Sequence, residues 1–212
     1  MQADVIFSVL ILIISVILHE VAHGYMANYL GDPTARLQGR LTLNPLKHID
    51  PMGSIFLPLL LKLSGSPMLI GYAKPVPYNP HNLSGKYDEA WVAAAGPLTN
   101  IALALVFGFA IRFGGATLPA AAISACAIIA LTNIVLAIFN LVPIPPLDGS
   151  KVLSGLLPGA AGHIYDRFRA RFERLGVLSG TILLMLLFYF FLVPVFDHVV
   201  YGLFSLLTGV SI

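Results

Sequence analysis

Residues Val5–Leu30 read VIFSVLILIISVILHEVAHGYMANYL. The run is apolar through Leu18 apart from Ser8 and Ser15, then carries His19, Glu20 and His23, and the chain leaves at Gly31-Asp32-Pro33. A membrane-spanning helix needs about 20 mostly apolar residues, so the stretch predicts a span with three polar side chains inside it. Ionisable groups at that depth each cost several kcal/mol and mark function.

The rest of the chain fits a membrane setting. Of 212 residues, 58% are hydrophobic and 10% charged, where a soluble domain carries about 25% charged. Mean hydropathy is +0.87. A soluble fold of this size could not hide so much apolar surface. A net charge of +2 gives no basic surface for nucleic acid, and the composition is the reverse of a disordered chain's. The fold class expected is an all-α polytopic membrane protein, a single domain over residues 1–212. The lone Cys126 can form neither an internal disulfide nor a zinc knuckle. The first apolar run lacks a cationic flank and a small-residue cleavage site, so it reads as a retained helix rather than a signal peptide.

Further spans are expected at Trp91–Ile111, at about Ala121–Val142 and at Leu175–Val193, where Pro194 would end or kink the helix. Val199–Ile212 either spans or lies at the interface. Met52–Leu61 is apolar but short, rising only about 15 Å as a helix, and reads as a re-entrant or shallow segment. Lysines and arginines concentrate after the first span (Arg36, Arg40, Lys47), before the second (Lys62, Lys74, Lys86) and after the third (Lys151, Arg167, Arg169, Arg171, Arg174), with Arg112 at the opposite side. The positive-inside rule places those three segments in the cytoplasm and the N-terminus outside. Phe168, Phe172 and Leu175 at helical spacing among arginines read as an interfacial helix on anionic headgroups.

His19-Glu20-Val21-Ala22-His23 carries the chemistry. Residues i and i+4 share a helix face, so two imidazoles can grip one metal, and Glu20 can reach a water beside it. The pattern is the helix motif of zinc metalloproteases. A catalytic zinc wants three protein ligands and an open position. The extended metzincin pattern fails, because Met26 and Tyr29 stand where it needs glycine and histidine. Glu89 and Glu173 lie in loop or basic segments. Asp148 is the best third candidate, in NLVPIPPLDG from Asn140 to Gly149. Pro143, Pro145 and Pro146 must break a helix there, and broken backbone at membrane depth is tolerated only in a cavity or inside protein. Helix capping is the plainer role for Asp148. Asp50 is the runner-up ligand, with a loop cap as its plainer role. Asn140 offers an amide donor for an oxyanion, against a plain packing role, and Asn100 reads as interhelical glue. His48, His81, His163 and His198 read as surface histidines.

The membrane-embedded His19-Glu20-x-x-His23 with the later Asn140-x-x-Pro143-x-Pro145-x-Leu147-Asp148-Gly149 resembles the site-2 protease family of intramembrane zinc metalloproteases. Gly31-Asp-Pro-Thr-Ala, Leu43-Asn-Pro-Leu-Lys-His-Ile-Asp-Pro51 and Gly96-Pro-Leu-Thr-Asn100 resemble its compact bacterial and archaeal members. The likeness covers about residues 5–155, with the amphipathic segment and membrane helices of 156–212 outside it. No inserted PDZ-like domain is expected, and no helix ahead of the His-Glu-x-x-His span. The resemblance implies one Zn²⁺ per chain held by His19, His23 and Asp148, and Glu20 as general base. It implies an endopeptidase that hydrolyses transmembrane substrates within or near the bilayer, as part of regulated intramembrane proteolysis. The partners expected are single-span membrane proteins and the lipid bilayer, with no nucleic acid. The location expected is the cell membrane, with the active site opening toward the cytoplasm. Leu69–Tyr78, with Pro75 and Pro77 blunting one edge, reads as a small β edge strand that could add an unwound substrate, against an ordinary interfacial loop. Two other classes compete. A metal-transport protein would explain buried His and Asp but not Glu20, and no internal repeat supports it. An inactive helix-binding scaffold would need a lost ligand or base, and all four residues stand intact.

Overall fold

The computed structural model describes residues 2–56, 73–187 and 193–210. Every regular element among them is helical: α1 Gln2–Tyr29, α2 Thr34–Leu37, α3 Asp88–Gly114, α4 Ala120–Leu141, α5 Asp148–Leu156, α6 Gly159–Glu173, α7 Gly176–Leu187 and α8 Val193–Thr208. Short turns of tighter or wider helix lie at Pro45–Lys47, Pro51–Phe56 and Pro80–Asn82. Three helices are long and apolar enough to cross a membrane, within Val5–Tyr29, Asp88–Gly114 and Ala120–Leu141, which are the first three expected spans. The chain is an all-α membrane protein.

The helices sort their faces as lipid solvent requires. On α1, Val5, Ile6, Val9, Leu10, Ile13 and Ile14 face outward, while Ser15, Ile17, His19, Val21, His23 and Ala27 are buried. Helices in lipid gain nothing by burying apolar groups against each other and associate through close packing of small residues. The buried stripe of α3 follows that rule, with Ala93, Gly96, Pro97, Asn100, Ala104 and Gly108. α3 therefore lies at the centre, packed on α1, α4, α5 and α8. Its outer half joins Ala130 and Ile134 of α4 and Val200 and Phe204 of α8 in one apolar cluster. Arg112, near the end of α3, donates to the Leu206 carbonyl at the last turn of α8, a cation on a helix C-terminus.

At the other end the chain breaks after α4. Residues 142–147 cross back without helix, and α5 starts at Asp148. Gly149 is required there, because a Cβ would fall 2.7 Å from the Val142 carbonyl oxygen and closer still to that of Leu141. The histidine end of α1, the start of α3 and this break meet in one place, so the described residues of the three basic segments share one end of the bundle.

Several expectations change in detail. The amphipathic segment is helical as α6, with Ile164 and Phe168 exposed. Phe172, however, is buried against Leu147 and Leu184 rather than presented to lipid. Arg169 turns inward, 3.5 Å from Glu89 and 3.8 Å from Glu173. Pro194 lies in the first turn of α8, where its missing N–H is harmless. Of the re-entrant stretch Met52–Leu61, residues 57–61 lie outside the described residues, as do residues 69–72 of the expected edge strand. Residues 73–79 form no strand pairing among the described residues. Their backbone is taken up by the protein itself, as the site shows.

Candidate metal centre

His19 and His23 stand one turn apart on α1 and face the start of α5. The His19 and His23 Nε2 atoms are 3.0 Å apart. Asp148 Oδ2 lies 3.1 Å from His19 Nε2 and 3.3 Å from His23 Nε2. The three side chains form the only cluster of His, Cys, Asp or Glu able to hold a metal ion among the described residues. His19 and His23 are 6% and 9% exposed, so bulk water does not fill the space between them.

The other ring nitrogen of each histidine decides what Nε2 can do. His23 Nδ1 lies 2.7 Å from the Val92 carbonyl oxygen, which can only accept, so Nδ1 carries the proton. His19 Nδ1 lies 2.6 Å from Asn100 Oδ1. The amide orientation follows from a chain of contacts that ends on backbone. Asn133 Nδ2 donates to the Ile129 carbonyl at 2.9 Å and to Ser15 Oγ at 3.0 Å. Asn133 Oδ1 therefore faces Asn100 and accepts from its Nδ2 at 2.8 Å. Asn100 Oδ1 is left to accept from His19 Nδ1. Asn100 and Asn133 are fully buried and Ser15 is 3% exposed, so in low dielectric these bonds hold firmly. With each Nδ1 committed to an oxygen acceptor, both Nε2 atoms point to one place, beside a carboxylate.

Three electron-pair donors this close repel each other unless a cation lies between them. Tetrahedral zinc with ligands at about 2.0–2.2 Å sets them about 3.3–3.6 Å apart, and the observed edges, at 3.0–3.3 Å, are slightly tighter. The donor set and its outer partners match zinc, whose histidine ligands normally give their second N–H to a carbonyl or similar oxygen.

The surrounding sequence makes room for this arrangement. A Cβ on Gly96 would come within 2.6 Å of His19 Cε1 and Nε2, and closer to His23 Nε2. Pro97 follows inside α3 and withholds the usual donor from Ala93, loosening the turn in which Val92 receives His23. Glu20 Oε2 accepts from the Val76 N–H at 2.9 Å. Lys151, one turn after Asp148, lies over the Tyr78 ring, 4.9 Å from its centroid. Burial favours its neutral amine, but Tyr78, Asp148 and Glu89 together hold it above the ordinary lysine range.

His19, His23 and Asp148 thus come together as the sequence predicts, with Glu20 beside them. Asn140 donates its Nδ2 to the Leu136 carbonyl at 2.9 Å, one turn back on α4. Asp50 accepts from the Gly53 N–H at 2.8 Å and caps the turn at 51–56, the plainer of its two expected roles. Asn100 is more than interhelical glue, since it orients a ring. His48 is a correction: it is 3% exposed, with Nε2 2.8 Å from the Thr42 carbonyl. Sequence reasoning passed over Asn133 and Ser15, although a polar side chain amid an apolar span is a legible signal. It also passed over the Val92 carbonyl and Val76 N–H, for which a sequence offers no signal, since every residue but proline has such groups.

Comparison with known proteins agrees with the geometry. The family model for peptidase family M50 matches residues 110–187, a range that includes Asp148. "Putative zinc metalloprotease YwhC" of Bacillus subtilis is 38% identical over 160 residues, covering 72% of this chain and 69% of the relative. "Putative zinc metalloprotease Rip2" of Mycobacterium tuberculosis H37Rv is 31% identical over 203 residues, covering 94% of this chain and 73% of the relative. The protein of the same name from Mycolicibacterium smegmatis is 36% identical over 144 residues, and only 53% of its length is covered. No solved structure matches the chain.

Proposed function

The chain belongs to peptidase family M50 and is a zinc metalloprotease of that type, and from this premise we propose that it cleaves single-span membrane proteins within or near the bilayer. His19 and His23, through Nε2, and Asp148, through Oδ2, hold the zinc. The observation that carries this reading is the triangle of 3.0–3.3 Å between those atoms, with both Nδ1 protons already committed to oxygen acceptors.

Zinc, when bound, supplies Lewis-acid polarisation and lowers the pKa of a water toward about 7. Glu20 accepts the attacking water's proton on its carboxylate and returns it to the leaving amine. Asn100 and the Val92 carbonyl keep the two imidazoles in the tautomer that can serve as ligands. Asn140 donates one amide hydrogen to the Leu136 carbonyl, and in this reading its second serves the developing oxyanion. Membrane burial of the histidines excludes bulk water. The basic segments that meet at this end of the bundle support an opening toward the cytoplasm, in the cell membrane.

Glu20→Gln tests the reading. It removes the base and leaves all three ligands. The variant retains about one zinc per chain by elemental analysis and loses cleavage against a panel of single-span substrates in detergent. Wild-type cutting by Glu20→Gln sinks the role of Glu20.

A further inference from the structure

Lys74-Pro75-Val76-Pro77 crosses the site as a strap. Prolines have no amide hydrogen, so Val76 holds the one N–H of residues 75–77, and that N–H donates to Glu20 Oε2 at 2.9 Å. The strap is anchored on both sides of this bond. Arg40 Nη2 donates to the Lys74 carbonyl at 3.0 Å and to the Pro75 carbonyl at 3.2 Å. The Lys74 N–H donates to the His48 carbonyl at 2.9 Å. Beyond the second proline, the Asn79 N–H donates to Asp32 Oδ2 at 2.7 Å. The Val76 side chain is 5% exposed and sits on Gly24, where a Cβ would fall 2.7 Å from its Cγ1. Arg40 is 7% exposed, and its Nε is buried without a partner. A guanidinium left partly unsatisfied inside protein is costly. Its position is explained by what it holds in place.

We propose that the strap is a positioning element for the catalytic carboxylate, with Arg40 as its positioning residue. The inference rests on the reading of Glu20 as general base. A glutamate side chain turns about several bonds and samples many orientations when unrestrained. One N–H on Oε2 fixes the carboxylate and leaves Oε1 to meet the water. The prolines on either side of Val76 leave no neighbouring amide to compete for the carboxylate by a slip of register. The strap cannot swing away without breaking the Arg40 and His48 bonds and lifting Val76 out of its seat on Gly24. It acts on the base and not on the ligands, because its bonds reach Glu20, Arg40, His48 and Asp32 but none of the three ligand atoms.

The test removes the Val76 N–H and, with it, weakens the Pro75 carbonyl as an acceptor for Arg40, both of them bonds of the strap. Val76 is replaced by its α-hydroxy acid analogue, which keeps the side chain and turns the amide into an ester without N–H. Zinc content, kcat and KM are read on a single-span substrate, alongside wild type and Glu20→Gln. A hydrogen bond to a charged group contributes about 10- to 100-fold. The expected result is a kcat lowered by about that factor, with KM within about twofold and zinc retained. An unchanged kcat overturns the inference, and a raised kcat makes the strap a brake instead. Arg40→Lys, which returns one donor, is expected to lower kcat less, at unchanged KM. Should the ester chain not fold, Arg40→Ala carries the test, and wild-type kcat there overturns the inference. The two failures are distinguishable: full cleavage by Glu20→Gln removes the base reading, whereas an inactive Glu20→Gln beside a fully active ester removes only the strap's role.

Discussion

Gly96→Ala adds a single methyl group, and the structure says where it goes. The new Cβ would sit 2.6 Å from His19 Cε1 and Nε2, and nearer still to His23 Nε2. Ordinary contact begins near 3.4 Å, so the His19 ring must retreat by about 0.8 Å and the His23 ring by about 1 Å, several times the roughly 0.2 Å tolerance of a metal–ligand bond. The rings cannot retreat freely. His19 is tied to Asn100 and His23 to the Val92 carbonyl, both on α3, the helix that carries the methyl. Moving α3 away carries those acceptors with it. One of these bonds or the ligand geometry has to give. Overpacking of this kind costs about 1–3 kcal/mol of stability. Disturbing the outer partners of a metal ligand costs about 10- to 100-fold in affinity, and displacing the ligands themselves costs more. The expected result is a folded protein whose zinc affinity has fallen by about 100-fold or more. Competition with a chromophoric chelator in detergent measures it, and a thermal melt reports the folded state. Wild-type zinc affinity in Gly96→Ala would refute the packing argument, because no arrangement of fixed rings accommodates the methyl.

Three further outcomes follow from the same bonds. Asn100→Ala leaves His19 without its acceptor and strands Asn133 Oδ1; zinc affinity should fall about 10- to 100-fold, and an unchanged chelator titration would return Asn100 to a packing role. Asn140→Ala should keep zinc and lower kcat by about 10²–10³ if its amide meets the oxyanion, whereas an unaltered rate would leave the Leu136 bond as its whole function. Asp32 is pushed up by burial, yet hydrogen bonds from Thr34, Asn82 and Asn79 hold its carboxyl below the ordinary value. A lowered folded-state pKa stabilises above the unfolded value and is lost as pH falls through the folded one. The stability gap between wild type and Asp32→Asn should therefore be widest near neutrality and close in acid, and denaturation curves showing a constant gap would sink this.

The spans and the candidate metal cluster were legible for the same reason. Lipid makes an exposed polar group so costly that apolar runs and their exceptions both carry information. His19, Glu20 and His23 stand out in α1 because their neighbours are so apolar, and Asp148 stands out because three prolines precede it. Asn100 and Asn133 are exceptions of the same kind, yet a single asparagine in a span says only that it has a partner. The partner depends on how helices rotate against each other, which hydropathy does not encode. The edge strand was misjudged over its described part for a related reason. Pro75 and Pro77 do remove donors, but the Lys74 N–H, the Val76 N–H and the carbonyls of residues 74 and 75 bond within the protein, to His48, Glu20 and Arg40. Composition can say how many donors a segment keeps, but not which way they face.

The register between α1 and α3 ties these features together. Ser15, His19 and His23 repeat every four residues on α1, and Val92, Gly96 and Asn100 repeat every four on α3. Residues four apart share a face, so each triplet is one stripe. His23 meets Val92 and His19 meets Asn100, which makes the stripes antiparallel, with Gly96 between the two rings. Four residues rise about 6 Å on either helix, so the spacing of the acceptors on α3 matches that of the imidazoles on α1. The match holds only where the axes come close, and the missing side chain at Gly96 permits that approach at the metal itself. Ser15 closes the stripe by anchoring Asn133, which orients Asn100, which orients His19. The placing of the two imidazoles is therefore a property of this helix pair, completed by Asn133 of α4, while α5 brings Asp148 to the same point.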